Sequence, residues 1–466
     1  MSPTQEHSPT RQQRLVSIRV RLERFLERRG YTPIGTPMLE STDLYLKKSG
    51  GELAARMYSF TDPSGRRVSL RPEFTSSVVQ SFVNGALKGP FPQRWVYAGP
   101  VFRYEPGSGG GEFEQLGAEL LGAGGAAADA EVLALAAQGL SALGVTGHRL
   151  RVGHMGVAAA MLDSLGLSER ARVFMMGSLA RLRAGEETPN EARERAVRLG
   201  LLTPDNTAQA ARVARGLPIE DAAAMAQGFV GDGMASATGQ RTPDDILRRY
   251  LKKLRDVGAP EVFDRALALS AELAGVAGPP QRTLGKLRRL AARFSVPAAV
   301  LQPVDDLLAA LARYDLRGAP VVLDLAAARG IAYYTGAVFD IEHPRVKGIP
   351  ALGGGGRYDG LISALGGRRP TPAMGFAYAL DRVSQLLPGD FGAEDADGQT
   401  RVLVTAQEAA LDEAVATAER LRAQGIPAEL DLESKSDAEA AKYARLRGIQ
   451  TVMRVGQGGR VAERSI

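Results

Sequence analysis

Cysteine is absent from the 466 residues. That excludes disulfides, thiolate metal ligands and a cysteine nucleophile, and it suits a reducing, cytoplasmic setting. Histidine is scarce: only His7, His148, His154 and His343 occur. No two of them stand at i, i+4 and no HExxH string appears, so the sequence predicts no metal centre. Long apolar runs are missing too. No stretch approaches the length of a bilayer crossing, and the opening MSPTQEHSPT is polar, without the apolar centre of a signal peptide. Nor is charge of one sign gathered into a block. The net charge of +6 comes mostly from arginines spread along the chain, with pairs such as Arg248-Arg249 and Arg288-Arg289 in helical-looking segments. Such pairs read as solvated helix faces rather than a nucleic-acid footprint. Two glycine-rich runs, PGSGGG at 106–111 and GGGGRYDG at 353–360, lack the Lys-Ser/Thr that would follow in a phosphate loop. The second reads as backbone closing on a small-molecule pocket.

What is present is a soluble, multidomain composition, 44% apolar and 24% charged. Residues 11–29 place Leu15, Ile18, Leu22, Phe25 and Leu26 on one helical face, with Gly30 as a stop signal. YTPIGTPMLE follows as an extended segment whose prolines put it at an edge or an interface. Met57–Phe60 and Arg67–Arg71 flank the turn TDPSG, and Ala126–Leu143 is an Ala/Leu-rich helix. A strand is predicted at His148–Val152. From Leu162 to Tyr314 the chain is rich in Ala, Leu, Arg and Glu and reads as a helical insertion. Strands are predicted again at Val321–Leu325 and Tyr333–Ile341, and a helix over Phe376–Leu387. Beyond the acidic, loop-like 388–400, the segments RVLVT, PAELDL and TVMRV alternate with helical stretches as a small β-α-β-α-β domain.

The most telling stretch is Val101 to Glu119, VFRYEPGSGGGEFEQLGAE. It suits two antiparallel strands, Trp95–Tyr104 and Glu112–Leu121, whose alternate side chains enter one pocket. Arg103 is placed to meet a phosphate there and Glu119 a cationic or imidazole group. The connection between the strands carries no cation.

Six strings in order carry a resemblance: RPEFT at Arg71–Thr75, FRYE around Arg103, EFEQLGAE ending at Glu119, RGIAYYTG at Arg329–Gly336, GGGRYDGL at Gly354–Leu361 and GFAYALDR ending at Arg382. Together they resemble class II aminoacyl-tRNA synthetases, and specifically the histidyl-tRNA synthetase family, over residues 11–466. The resemblance implies an α+β fold: an antiparallel sheet core flanked by helices, formed by residues 1–161 and 315–387. Within it lies the helical insertion, 162–314, and after the linker a shortened anticodon-binding-like α/β domain, 401–466. It also implies a histidine pocket of Glu73, Thr75, Gln115, Glu119, Arg329, Tyr333 and Tyr334. The chemistry agrees with that transfer. An α-ammonium wants acidic and neutral acceptors, and an imidazole wants a carboxylate on one nitrogen and a hydroxyl near the other. The helix at 11–29 and the TPMLE segment resemble the family's dimer interface, so a homodimer is expected.

The activation chemistry of that family is where the sequence departs. Adenylation needs several preplaced cations around the reacting phosphate. The family's hairpin loop reads R-P-Q-x-G-R-x-R-E-F; here it is shorter and its arginines are gone. Arg103, Glu105 and Arg382 are left as a vestigial nucleotide site. The family's His before Gln115 is Glu114, placing negative charge where a nucleotide would come; its Asp before the tyrosines is Ala332, and a Gly of its last motif is Ala379. A chain that keeps the amino-acid pocket and loses activation resembles the regulatory subunit of ATP phosphoribosyltransferase in histidine biosynthesis. That reading implies a non-catalytic, histidine-binding subunit needing no cofactor, a homodimer joined to the catalytic subunit in a hetero-oligomer. The alternative is histidine–tRNA ligase, with ATP and Mg²⁺ as co-reactants, tRNA as partner, and Arg103 and Arg329 as catalytic residues.

Overall fold

The computed structural model describes residues 9–47, 53–86, 90–104, 111–202, 260–327, 333–346, 352–389, 391, 402–406, 410–424, 426, 428–431, 435–447 and 449–466. The chain divides into two compact units: Arg19–Leu387, and Met1–Ile18 with Pro388–Ile466.

In the larger unit the first four strands are β1 (Thr32–Pro33), β2 (Leu39–Ser41), β3 (Ser59–Thr61) and β4 (Arg67–Leu70). Next come β5 (Gln93–Phe102), β6 (Glu112–Leu121), β7 (Arg149–His154) and β8 (Ala277–Gly278). The unit closes with β9 (Val321–Asp324), β10 (Ala337–Glu342), β11 (Gly353–Arg357) and β12 (Ala373–Ala379). Nine of these form one sheet in the order β1-β5-β6-β12-β11-β10-β7-β9-β8, and β2-β4-β3 form a small separate sheet. From β5 to β7 every pairing is antiparallel; parallel pairs occur only towards the flanks, at β1–β5 and β7–β9.

The expected hairpin is present as β5 and β6, which pair over ten residues from Gln93↔Leu121 to Phe102↔Glu112. Behind the sheet lies the helix Gly125–Ala142. Its Ala/Leu sequence has high helix propensity and is buried nearly all round, as a helix covered on several sides must be. The Tyr378 hydroxyl of β12 donates to the Ala136 carbonyl of that helix at 2.7 Å, and Gly139 leaves room for it: a Cβ there would lie 2.4 Å from the phenol oxygen.

Three segments differ from the sequence reading. GFAYA, expected to begin a helix at Phe376, is the central strand β12, and only Leu380–Ser384 is helical. A short apolar run does not separate buried strand from buried helix by periodicity, and here strands on both sides claim its backbone. The glycine run, read as backbone closing on a pocket, is the strand β11. Its backbone is hemmed in on both sides: a Cβ on Gly355 would lie 2.0 Å from the Gly375 oxygen of β12. Tyr333 and Tyr334 precede β10, which starts at Ala337.

The helices of the insertion, among the described residues, are Glu169–Ala184, Pro189–Arg198, Pro260–Ala274, Pro280–Arg293 and Gln302–Leu311. Pro189–Arg198 starts with Pro at its first position and a full capping box between Thr188 and Glu191. These helices share a core that runs into the sheet: Phe174, Met175, Phe263, Leu269 and Leu287 pack in one cluster with Leu323 and Leu325 at β9.

In the smaller unit, β13 (Val402–Ala406), β14 (Ala428–Leu430), β15 (Thr451–Val455) and β16 (Val461–Ser465) make a sheet in the order β14-β13-β15-β16. The apolar run VLVTA is buried on both faces. Val402 and Val404 face a cluster with Ala414 and Ala418, and Leu403 faces Ala440, Ala444 and Ile449. The sequence predicts three strands here. The VAERSI tail adds a fourth, antiparallel to β15.

Candidate functional site

Strand alternation puts Gln115, Gly117 and Glu119 on one face of β6 and Leu116, Ala118 and Leu120 on the other. Residues opposite each other in neighbouring strands share that face, so Trp95 and Gly375 flank Glu119 and Tyr97 stands across from Gly117. Two glycines make the space. A Cβ at Gly375 would lie 1.6 Å from Glu119 Oε2, and one at Gly117 would lie 2.4 Å from the Tyr97 hydroxyl oxygen.

Glu119 is fully buried. Three hydroxyls donate to it: Thr75 Oγ1 at 2.8 Å and Tyr97 at 3.2 Å to Oε1, and Tyr358 at 2.5 Å to Oε2. Burial pushes its pKa up to about 7, with the nearby Glu73 adding to the rise and the three hydroxyls opposing it. Glu73 is also buried and raised, by desolvation first. Its two oxygens accept the Ser76 N–H, at 3.0 and 3.2 Å, in the first turn of the helix Thr75–Val83. Two buried carboxyls, both raised by desolvation and one felt electrostatically by the other, are a site that a cation or an N–H-rich ligand would stabilise.

The aromatic wall is Tyr333, edge-on to Tyr334 at 5.0 Å and to Tyr358 at 5.9 Å between ring centres. The structure thus brings together Glu73, Thr75, Glu119, Tyr333 and Tyr334, with Gln115 half-buried on the same face of β6. Arg103 lies nearby with its Nε donating to the Pro72 carbonyl at 2.7 Å and its guanidinium 5.3 Å from the Phe113 ring centre. Arg382 is half-buried in the helix Leu380–Ser384. Arg329 and Glu105 lie outside the described residues. Glu114 alternates to the face opposite Gln115, and its carboxyl is raised by burial and by Asp381, whose Oδ2 accepts the Glu114 N–H at 2.7 Å.

Tyr97 and Tyr358 are the residues that reading the sequence missed. Tyr358 sits inside the string GGGRYDGL, and Tyr97 shares the Trp95 face of β5. Only the register shows that both reach Glu119.

The histidyl-tRNA synthetase family profile matches residues 4–198 and 233–383 of this chain. The chain belongs to the histidyl-tRNA synthetase family. Among curated relatives, the histidine–tRNA ligase of Methanococcus maripaludis is 29% identical over 456 residues, covering 97% of this chain and 91% of its own. That of Pyrococcus furiosus is 29% identical over 439 residues, 93% of this chain and 85% of its own. Among solved structures, an "ATP phosphoribosyltransferase regulatory subunit/histidyl-tRNA synthetase" from Bacillus halodurans superposes with a TM-score of 0.62 at 22% identity, over 95% of this chain and 94% of that one. The S. aureus histidyl-tRNA synthetase gives 0.58 at 21% identity, over 98% and 95%. At these identities the two structures speak for the fold, the class II synthetase-like sheet with its α/β companion. Among the described residues no helix is long and apolar enough to cross a membrane, and no group of three or more His, Asp or Glu is placed to hold a metal ion.

Proposed function

We propose that this family member binds free histidine in the Glu119 cleft and serves as a non-catalytic regulatory subunit of an ATP phosphoribosyltransferase. The observation that carries the reading is a contrast within one hairpin. The β6 wall keeps its buried carboxylate with three hydroxyl donors, while the stretch PGSGGG at 106–111, between Arg103 and β6, contains no arginine or lysine. Glu119 would accept an imidazole N–H, and Glu73, Thr75 and Gln115 would take the α-ammonium. Arg329 would meet the carboxylate, and the rings of Tyr333 and Tyr334 would close the cleft. Histidine bound there would bias the subunit between two arrangements, and a catalytic partner would read that bias. Such a subunit needs no cofactor of its own. A homodimer suits the exposed apolar side chains Met38 (53% exposed), Leu39 (44%) and Phe60 (48%) on and beside the small sheet.

Reconstitution with a short-form ATP phosphoribosyltransferase catalytic subunit tests the regulatory reading. Activity that depends on this chain and responds to micromolar histidine is expected. A catalytic subunit whose rate and histidine response ignore this chain would refute it.

The second reading is histidine–tRNA ligase. It is favoured by the names of the curated relatives, matched along 85–91% of their lengths, and by the four-stranded fold of the C-terminal unit. ATP and Mg²⁺ would then be co-reactants and tRNA a partner, with Arg103 and Arg329 acting on the phosphate. Charging of tRNA with labelled histidine separates the two.

A further inference from the structure

Asp324 ends β9 and is buried, yet it carries a dense set of bonds. Its carboxylate meets Arg151 Nη1 of β7 at 3.0 Å and Arg183 Nε of the helix Glu169–Ala184 at 2.7 Å. Its Oδ1 also accepts the Ala326 N–H at 3.1 Å, and its main-chain oxygen accepts the Ala327 N–H at 3.1 Å. The turn so formed presses on β7: a Cβ at Gly153 would lie 2.8 Å from the Asp324 oxygen and 2.9 Å from the Ala327 oxygen.

Residues 328–332 lie outside the described residues, and what joins the turn to the tyrosine end is β7, whose Gly153 abuts the turn and whose next residue, His154, pairs with Ala337. The tyrosine end is tied as well. Thr335 N donates to the Arg357 carbonyl at 2.8 Å and Met155 N to the Gly336 carbonyl at 2.8 Å. Arg151 belongs to the sheet and is held in addition by Glu342 of β10 at 2.6 Å, so it keeps its place with the strands. Arg183 belongs to the helical insertion. It is the partner of Asp324 that a movement of those helices would withdraw.

We infer that Asp324 is a positioning residue for the tyrosine-bearing segment of the cleft, and that Arg183 couples the helical insertion to it. The inference rests on the proposed histidine site for its ligand. Because coupling free energies are reciprocal, histidine in the cleft should also steady the helix Glu169–Ala184. Removing Arg183 leaves Asp324 paired with Arg151, so the variant is expected to fold.

The test compares wild type, Arg183→Met and Arg183→Lys by calorimetry with histidine and by amide hydrogen exchange. In Arg183→Met, exchange of the unliganded peptide carrying Tyr333–Thr335 should quicken while β7 and β10 stay protected. Histidine affinity should fall roughly fivefold to tenfold, within the usual range of such coupling. Arg183→Lys should restore affinity to within about twofold of wild type, since a charge is retained at the same helix position. Histidine should slow exchange in 169–184 in wild type and not in Arg183→Met. Unchanged exchange in the Tyr333–Thr335 peptide overturns the inference whether or not histidine binds. So does an unchanged affinity. A wild-type protein that fails to bind histidine refutes the proposed function instead, and the unliganded exchange alone then decides on the positioning role.

Discussion

Glu119→Gln should remove a pH dependence of folding that the wild type carries. The folded-state pKa of Glu119 is raised from 4.5 to about 7, chiefly by burial. The folded chain therefore binds this proton more tightly than the unfolded chain. The associated stability is fully present below about pH 4.5 and is lost as pH rises through 7, where the carboxylate must be held ionised in the dry cleft. A shift of about 2.5 units at 1.36 kcal/mol each makes the loss on the order of 3 kcal/mol. Glutamine has the same shape and keeps an oxygen for Thr75 and Tyr97, but it does not titrate. Urea unfolding at pH 5 and pH 8, followed through Trp95, reads the effect in the right unit. Trp95 is the sole tryptophan and stands across from Glu119 in the β5–β6 register. Other groups titrate in both proteins and cancel in the difference. The variant should gain on the wild type by about 2.5 kcal/mol between the two pH values. Parallel pH profiles would refute the account of a carboxyl raised by burial.

Other substitutions probe the same cleft and its frame. Glu119→Ala should weaken histidine binding at least about tenfold, as expected for losing a charge-assisted bond of roughly 1.5–3 kcal/mol; an unchanged calorimetric affinity would contradict the assignment. Gly375→Ala forces a methyl group onto Glu119 Oε2, so it should abolish histidine binding while leaving a folded protein by circular dichroism. Arg357→Met strips the buried Asp129 of its guanidinium partner, bonded at 2.7 Å from Nε, and should destabilise the larger unit by about 3–5 kcal/mol in chemical unfolding. Retention of wild-type stability would show that Asp129 is not charged there.

The strands β5 and β6 were legible because their side chains alternate and their strings, FRYE and EFEQLGAE, carry recognisable chemistry. The C-terminal β-α-β pattern was legible for a related reason: VLVTA and TVMRV are runs that only a doubly covered strand tolerates. β11 was not legible, because four glycines carry no side-chain pattern and strands are poor in glycine. What makes it a strand is the pressure of its neighbours, and that lies in distant residues of β10 and β12. The cleft was half legible. Glu73, Thr75 and Glu119 came from local strings, whereas Tyr97 and Tyr358 reach Glu119 across separations of 22 and 239 residues that only pairing register resolves.

The central claim is that this cleft holds histidine without activating it. ATP–pyrophosphate exchange, run at saturating histidine on protein shown by calorimetry to bind histidine, tests it most directly. Exchange no faster than the protein-free background is the expected result. Robust histidine-dependent exchange would contradict it and leave histidine–tRNA ligase as the function.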